Sequence, residues 1–340
     1  MLAAYTKLQH AEKVKQYLLQ KKVLHPGFLP VKELGLMYFP LLKTVKVPNA
    51  KLVDTKFTFS EKPGKVTIEM LLKNTLTTNE LKFLPKSQEN VGSILIIEIP
   101  DELEKKENSI AKAYLKHNPH ITTVVKKSAI HKGTYRTREV RILAGKRTKE
   151  TIHVENGVRI KLHLEKTYFS SRLANERLRI AKLVKKNESV LVMFSGAAPY
   201  LLVLAKHSPA KMIYGIEINP LAHQYALQNV SLNKFNHKIA IFQGDVRTIL
   251  PRIKKKFDRI VMPLPKTGDF FLDVALKHAK PDTVIHFYTF LDEKDINKEV
   301  AKIKERCKNL KHPVRILRKV KCGQFSPGKI RLCLDMKVLK

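Results

Sequence analysis

Apolar and polar positions alternate in a regular rhythm along the second half of the chain, from Ser171 onwards. Short apolar runs such as SVLVMF and KMIYGIEI are typical of strands that are buried on both faces. Between them, segments such as PLAHQYALQNVSLN carry apolar residues three or four positions apart, which predicts helices. This alternation predicts a parallel, doubly wound α/β sheet over residues 171–340, with the last strand inserted antiparallel.

The predicted elements of this region can be read in chain order. They are helix RLANERLRIAKLV, strand SVLVMF, helix PYLLVLAKH, strand KMIYGIEI, helix PLAHQYALQNVSLN, strand KIAIFQGD, helix VRTILPRI, strand FDRIVMPLP, helix DFFLDVALKHA, strand TVIHFYTFL, helix EKDINKEVAKIKERCKNL, and strands VRILRKVKC and KIRLCLDMKVL.

The first half of the chain has a less regular pattern. A helix over residues 11–21 and the alternating runs KLVDTKFTFS and KVTIEML predict a small α/β module at 1–75. The polar stretch 76–92 contains Pro and Gly and predicts a linker. Residues 93–170 combine strand SILIIEIP, helix KENSIAKAYLKHN and three alternating runs (ITTVVKK, EVRILAG and VRIKLHLEKTYF) with interleaved Lys and Arg. This pattern suits an α/β domain that contacts RNA.

Charge narrows the class of partner. The chain has 65 Lys and Arg against 30 Asp and Glu, a formal net charge of +35, which favours nucleic acid, with a lysine-rich solvated surface as the alternative. No stretch approaches the roughly 20 apolar residues of a spanning helix. The N-terminal segment MLAAYTKLQHAEKVKQYLLQKK is interrupted by charges, so we interpret it as an amphipathic helix of a cytoplasmic protein rather than a signal peptide. Cys307, Cys322 and Cys333 lack metal-ligand spacing and are expected to be buried thiols, with no metal.

Chemically suggestive residues follow four predicted strands. They are Phe194-Ser195-Gly196-Ala197, Glu217-Ile218-Asn219, Gly244-Asp245 and Pro263-Leu264-Pro265. Ligands of open α/β sheets bind at the carboxyl ends of strands, where Gly196 permits close approach and Glu217 can accept hydrogen bonds from ribose hydroxyls. Asp245 is placed to accept one from an adenine amino group. Each residue alone is also explained by ordinary turn chemistry or a helix N-cap. Neither GxxxxGK[ST] nor a full GxGxxG is present, which favours a nucleoside ligand such as S-adenosylmethionine.

Five segments carry a family resemblance: TYFSSRLANER, FSGAAPY, GIEINPLAHQYALQNVSLN, GDVR and MPLPK. From about Ile130 to the C-terminus the chain resembles the archaeal and eukaryotic tRNA methyltransferases that modify position 37, beside the anticodon. Residues 1–75 loosely resemble that family's tRNA-elbow-reading module. The resemblance implies a class I (Rossmann-like) methyltransferase domain behind two small α/β RNA-binding domains, S-adenosylmethionine as cofactor, no metal, and a monomer that contacts the anticodon stem-loop and elbow of tRNA.

The resemblance also assigns site residues. It implies a cofactor site formed by Tyr168, Phe194, Gly196, Pro199, Glu217, Asn219, Gly244 and Asp245. Arg136 matches an arginine that contacts the target guanine, with Arg138 as a helper, and Glu176 matches the carboxylate proposed as general base. From the residues alone, the favoured interpretation of Glu176 is an exposed carboxylate paired with Arg179, and a phosphate contact is an equal alternative for Arg136. Tyr168 or Phe169 would be the platform on which the flipped base stacks.

Departures from the usual family pattern point to one branch. Pro263-Leu264-Pro265 replaces Asn-Leu-Pro, and Val192, Ala198 and Glu217 also differ from the common residues. These changes resemble the archaeal branch that takes part in wyosine synthesis. Pro263 and Pro265 would form a wide, apolar substrate slot suited to a three-ring base. The sequence therefore predicts methylation of guanosine 37 at N1 and of the tricyclic wyosine intermediate at C7. The alternatives are a non-catalytic RNA-binding platform and a methyltransferase of ribosomal RNA.

Overall fold

The computed structural model describes residues 1–62, 64, 66–85, 87–128, 137–265, 268–326 and 328–339. The chain folds into two compact units, residues 1–67 and 68–340. The first boundary thus lies near residue 67 rather than at residue 75. Within the described residues, no helix combines the length and apolar character needed to cross a membrane.

The first unit is a four-stranded antiparallel sheet with one helix. Its elements are β1 (Leu2–Lys7), α1 (Ala11–Gln20), β2 (Val31–Glu33), β3 (Leu36–Pro40) and β4 (Lys51–Asp54). The sheet order is β2-β3-β1-β4, and Val14 and Leu18 of α1 pack into the same core as Ala4. The N-terminal segment was expected to be helical throughout. Its first residues instead form β1, because pairing with β3 on one side and β4 on the other satisfies its backbone.

The second unit begins with a smaller mixed sheet. Its elements are α2 (Ile68–Leu72), α3 (Thr78–Leu81), β5 (Gln88–Val91), β6 (Ile94–Ile97), α4 (Glu107–His117), β7 (Thr123–Lys127) and β8 (Val140–Gly145), followed by the hairpin β9 (Glu150–Glu155) and β10 (Val158–His163). The sheet order is β5-β6-β7-β8, with β6 and β7 parallel.

Two expectations for this region are wrong. The run KVTIEML, expected to be a strand, contributes to helix α2, whose Leu72 joins the core beside Ile110 of α4. The expected linker, residues 76–92, contains α3 and β5, because Thr77 and Glu80 form a capping box and β5 pairs with β6.

The remainder forms one large sheet flanked by helices. Its elements are α5 (Ala174–Leu183), β11 (Ser189–Met193), α6 (Pro199–His207), β12 (Met212–Glu217), α7 (Pro220–Leu232), β13 (Ile239–Gln243), α8 (Val246–Ile253), β14 (Phe257–Met262), α9 (Leu272–Lys277), β15 (Ala279–Asp292), α10 (Ile296–Asn309), β16 (Val314–Ser326) and β17 (Lys329–Val338). The strand order is β13-β12-β11-β14-β15-β17-β16, with two apolar cores.

This topology confirms the predicted doubly wound sheet with its antiparallel insertion. Strands β13, β12, β11, β14 and β15 pair in parallel, and β17 pairs antiparallel with both β15 and β16. After β11 the chain adds β12 and then β13 on one side of β11, and it then returns to place β14 on the other side of β11. The ends of β11 and β14 therefore flank the topological switch point, where such sheets bind ligands.

Candidate active site

A cleft of about 380 Å³ opens at the carboxyl ends of β11 to β14. Its volume falls within the range of roughly 300–1,000 Å³ that is usual for small-ligand sites. Seven of the eight predicted cofactor residues line it: Tyr168, Phe194, Gly196, Glu217, Asn219, Gly244 and Asp245. The eighth, Pro199, lines an adjoining cavity of about 50 Å³. The structure therefore brings together the strand-end residues that the sequence singled out.

Glu217 places a buried carboxylate in this cleft. One carboxylate oxygen accepts the Gly196 N–H at 2.6 Å and the other accepts the Asn219 N–H at 2.8 Å. Burial raises the pKa of Glu217, and the backbone amides oppose that shift only in part. Because a carboxylate offers about four acceptor positions, both oxygens can still receive a hydroxyl hydrogen bond. A ribose with two vicinal hydroxyls fits this group.

The turn after β11 uses three left-handed residues: Phe194 (φ 60°), Gly196 (φ 56°) and Ala198 (φ 72°). This backbone aims the Gly196 amide at Glu217. The Phe194 ring is held edge-on against Phe271, with 4.9 Å between ring centroids. The Ser195 hydroxyl is buried and has no hydrogen-bond partner among the described residues. Ser195 is 3% exposed and lines the adjoining small cavity rather than the cleft.

Asn219 and Asp245 both cap helices, as ordinary turn chemistry predicts. Asn219 accepts the Leu221 N–H at 3.0 Å and donates its amide to the Lys166 carbonyl at 2.8 Å, which fixes the segment leading to Tyr168. Asp245 accepts the Arg247 N–H at 2.8 Å. The Arg247 guanidinium bonds the same carboxylate and lowers the pKa of Asp245. The contact of Asp245 with adenine stays a prediction.

The adjoining cavity joins the cleft to the interior. Pro263 and Pro265 line both spaces, so the predicted apolar slot forms their common border. Tyr168 also lines both and is half-buried, as a stacking platform requires. Phe169 is 3% exposed and packs against His153 and Arg177, so Tyr168 alone remains available for stacking. The far side of the cavity includes the Tyr288 ring.

Glu176 is buried rather than exposed. Arg179 binds its carboxylate with two hydrogen bonds of 2.7 and 2.8 Å, and the Tyr288 hydroxyl donates to it at 2.6 Å. Tyr200 in turn donates to Tyr288 at 3.1 Å. The expected pairing with Arg179 is therefore present. Glu176 lines neither the cleft nor the small cavity. Tyr288 lines the small cavity and lies between it and Glu176.

Glu176 begins a buried network that crosses the core. Arg179 also bonds Asp335 at 2.7 Å, Asp335 bonds His286 at 2.6 Å, and Arg259 bonds both His286 and Glu188. We call these residues the core network: Glu176, Arg179, Asp335, His286, Arg259 and Glu188. Because Arg259 can only donate, His286 accepts through Nε2 and carries its proton on Nδ1. Burial lowers the pKa of His286, which keeps the ring neutral.

The core network holds three carboxylates against two guanidiniums. Burial alone would raise the pKa of Asp335, but hydrogen bonds from His286 and Arg179 outweigh it and hold that pKa well below its usual range. His286, Cys333 and Asp335 place ligand-type atoms within 4.8 Å of one another. Both His286 nitrogens and the Asp335 carboxylate already make hydrogen bonds, so this group is fully used as part of the network.

Of the two arginines predicted to contact the target base, the structure describes only Arg138. Arg136 lies outside the described residues. Arg138 is 6% exposed and is bound to Glu89 at 2.8 Å and to the Phe169 carbonyl at 2.9 Å, which gives it a structural anchor. Sequence reasoning missed Arg331, which lines the small cavity and donates to the Tyr168 hydroxyl at 3.4 Å. Arg331 lies in a run that the sequence predicts as a strand, so no sequence signal marks it as a site residue. Its place in the site becomes apparent only from its position on β17.

Together, the doubly wound sheet and the nucleoside-sized cleft at its switch point define a class I methyltransferase fold. Two family models match the chain: the TRM5/TYW2 methyltransferase domain at residues 151–317 and the TYW2 N-terminal domain at residues 68–148. The second match covers the region of the smaller mixed sheet.

Relatives agree with these matches over most of the chain. The tRNA (guanine(37)-N(1))-methyltransferase Trm5b of Pyrococcus abyssi is 38% identical over 258 residues, which cover 76% of each chain. The crystal structure of that organism's Trm5b has a TM-score of 0.75 at 32% identity and covers 100% of both chains. The complex of aTrm5 with tRNALeu has a TM-score of 0.71 at 30% identity, covering 99% of this chain and 100% of that one. This chain belongs to the TRM5/TYW2 methyltransferase family and is an S-adenosylmethionine-dependent methyltransferase.

Other relatives carry different names. The tRNA 4-demethylwyosine(37)-methyltransferase Taw21 of Saccharolobus solfataricus is 35% identical over 205 residues, 60% of this chain and 78% of that protein. The tRNA(Phe) (4-demethylwyosine(37)-C(7)) aminocarboxypropyltransferase of Pyrococcus horikoshii is 31% identical over 277 residues, 81% of this chain and 98% of that protein. The family thus includes proteins named for different transferred groups.

Proposed function

We propose that this chain methylates residue 37 of tRNA, at N1 of guanosine and at C7 of the tricyclic wyosine intermediate. Relatives named for each of these activities support both substrates. The observation that carries the proposal is the cleft, in which Glu217 faces a border formed by Pro263 and Pro265. Proline offers no side-chain amide to the base edge. The base would therefore be selected at this border by its shape rather than by hydrogen bonds, and either ring system would be accepted.

Glu217 would hold the ribose of S-adenosylmethionine through its carboxylate oxygens. When bound, this cofactor supplies an electrophilic methyl group on a sulfonium. The chain's residues then need to orient the base, exclude water and accept one proton, because methyl transfer depends on alignment rather than covalent catalysis. Tyr168 would stack on the base that leaves the anticodon loop.

The proton has a path to the core network. Both guanine N1 and the ring carbon C7 must lose a proton when they gain the methyl group. We assign the accepting role to Glu176, with the Tyr288 hydroxyl passing the proton, since Tyr288 lines the cavity and donates to Glu176 at 2.6 Å. Arg179 is balanced by Asp335 and Arg259 by Glu188, so Glu176 carries the one excess negative charge. Taking up one proton makes the core network neutral.

Glu176→Ala tests that role. Loss of a general base lowers the rate of transfer by about 10²- to 10⁴-fold. Single-turnover rates across pH would be measured for Glu176→Ala, Tyr288→Phe and Tyr200→Phe, the last of which removes a hydroxyl that does not touch Glu176. An unchanged rate for Glu176→Ala excludes it as the base. An unchanged rate for Tyr288→Phe alone excludes the relay.

The tRNA would contact both described units, which explains the charge of +35. In this proposal the smaller sheet of residues 68–148 contacts the anticodon stem-loop and the first unit reads the elbow, with the protein acting as a monomer. The aTrm5–tRNALeu complex supports tRNA as the partner.

The test must also distinguish methylation from aminocarboxypropyl transfer, because a relative is named as an aminocarboxypropyltransferase. That reaction breaks a different carbon–sulfur bond of the same cofactor. Nucleoside mass spectrometry would be applied to tRNA carrying guanosine 37 or the tricyclic precursor after incubation with the protein. Methylated products at residue 37 support the proposal. An aminocarboxypropyl adduct, label only in ribosomal RNA, or no product with either substrate would contradict it.

A further inference from the structure

A groove of about 660 Å³ lies beside the small cavity and shares only Tyr168 with the cofactor cleft. One side comes from β5, β6 and β7 of the smaller sheet, including Glu89, Ile96 and Lys127. The other side comes from the ends of β15, β16 and β17. Tyr168 and Arg331 line both the groove and the small cavity, so the two spaces adjoin at these side chains.

The groove contains an exposed aromatic pair. The rings of Phe290 and Phe325 are stacked, with 3.8 Å between centroids and 25° between planes. Phe325 is 45% exposed, and the Arg331 guanidinium lies over Phe290 at 5.2 Å from the ring centroid. A large apolar ring that stays half-open to a groove offers a flat surface on which another ring can stack.

Basic side chains outnumber acidic ones along the groove. Lys127 is paired with Glu98 at 3.0 Å and Arg138 with Glu89 at 2.8 Å. The other two cations, Arg172 and Arg331, have no carboxylate partner in the part of the chain that the structure describes. The Nε atom of Arg331 is buried and makes no hydrogen bond there either. With no carboxylate beside it, the Arg331 guanidinium can attract an anionic ligand.

We propose that this groove binds the nucleotide adjacent to the methylated one, with its base stacked on Phe325 and its phosphate held by Arg331 and Arg172. The inference rests on the proposed function, since it assumes that the target base enters the small cavity. Because Tyr168 and Arg331 line both spaces, the neighbour of a base that enters the small cavity can reach the groove past these two side chains. Aromatic stacking combined with an unpaired guanidinium is the usual means of holding an unpaired nucleotide.

Equilibrium binding of tRNA to the full-length chain tests the stacking contact. Phe325→Ala should weaken binding about 5- to 100-fold, in line with the loss of one base–aromatic stack. Leu227→Ala of α7 is the control, because Leu227 is an apolar side chain of similar exposure (49%) that lies outside the groove, and it should leave binding unchanged. Thermal melts of both variants establish that they remain folded.

An abasic substitution identifies the partner of Phe325. Two tRNAs would each lack the base on one side of position 37. For one of them, wild type should lose most of the affinity that Phe325→Ala loses, and Phe325→Ala should be insensitive to the missing base. Equal penalties in both proteins for both tRNAs would overturn the stacking assignment.

Arg331→Gln tests the phosphate contact. Removing one cation–phosphate contact should lower the slope of log affinity against log salt by about one, as Arg172→Gln should. Arg318→Gln, an exposed arginine outside the groove, provides the control. Slopes equal to wild type for both groove variants would overturn the assignment. These measurements need no methyl transfer, so a wild type that binds with this pattern but forms no product refutes only the proposed function.

Discussion

The cofactor cleft and the core network lie in the same sheet but are built in opposite ways. The cleft residues lie at or directly after the carboxyl ends of β11, β12 and β13, and the Glu217 carboxylate retains open hydrogen-bonding positions. The core network draws on α5, β14, β15, β17 and the segment just before β11, and its charged groups are bonded to one another. An incomplete set of hydrogen bonds therefore marks the ligand site, whereas a complete set marks a structural or proton-holding element.

The largest effect is expected from breaking the core network. Asp335→Asn removes a buried charge that Arg179 and His286 both face, and losing one partner of a buried pair costs about 3–5 kcal/mol of unfolding free energy. Guanidinium denaturation would measure it. Asp282→Asn is the control, since Asp282 pairs with Lys337 at an exposed position and should change little.

Asp335→Asn also tests the pH range over which the Asp335 carboxylate stabilises the folded protein. The pKa of Asp335 is lowered in the folded protein, so its contribution is present above the usual value of 3.8 and is lost as pH falls below it. The stability difference between wild type and Asp335→Asn should stay constant from pH 7 to about 4 and shrink at lower pH. A difference that shrinks between pH 7 and 5 would contradict this assignment.

The next effect concerns the cleft. Glu217→Ala should weaken binding of S-adenosylmethionine about 100-fold, as expected for the loss of two hydrogen bonds to a charged group. Calorimetry would measure it, with the exposed Glu305→Ala of α10 as the control. If Glu217→Ala binds as tightly as wild type, the ribose does not lie on this carboxylate.

A smaller effect is expected at the turn. Gly196→Ala places a methyl group in ordinary van der Waals contact, 3.6 Å from the Tyr168 carbonyl oxygen, so its cost of about 1–2 kcal/mol comes from the left-handed backbone. Ala198→Gly relieves similar strain but loses a buried methyl group worth about 0.8 kcal/mol, so its net change should be below about 1 kcal/mol. Thermal melts compare them. Equal destabilisation by both variants would contradict the strain argument.

The smallest effect is the pH dependence of nucleoside binding. Burial raises the pKa of Glu217, so its carboxylate becomes protonated, and adenosine affinity falls, at a higher pH than for an ordinary glutamate. The decrease is at most tenfold per pH unit below that pKa. Titrations with adenosine between pH 7 and 5 would show it, and Glu217→Gln should be flat. A pH-dependent Glu217→Gln would assign the titration to another group.

Sequence patterns predicted the large sheet well, because each of its buried strands is a continuous apolar run. Helix α8, for example, spans the predicted residues Val246–Ile253. The first unit was harder, since Leu2–Lys7 has no strand-like composition and is a strand only because residues far along the chain pair with it. The capping box of Thr77 and Glu80 was a readable signal that the linker interpretation overlooked.

Some residues of the candidate site were likewise predictable from the sequence, and others were not. Strand-end residues such as Glu217 and Gly196 were predictable, because parallel strands bring their carboxyl ends to one edge. Asp335 and His286 stand in apolar strand runs, where a charged or polar residue signals a buried partner without identifying it. The groove that Arg331 lines combines strands of the smaller mixed sheet with strands of the large sheet, so no local pattern reveals it.

A crystal structure of the protein with S-adenosylmethionine bound would show whether the cofactor lies in the cleft. We expect both ribose hydroxyls within hydrogen-bonding distance of the Glu217 carboxylate, and the methyl group directed at the space bordered by Pro263, Pro265 and Tyr288. A cofactor bound elsewhere, or a cleft that remains closed by its own side chains at saturating cofactor, would contradict this expectation.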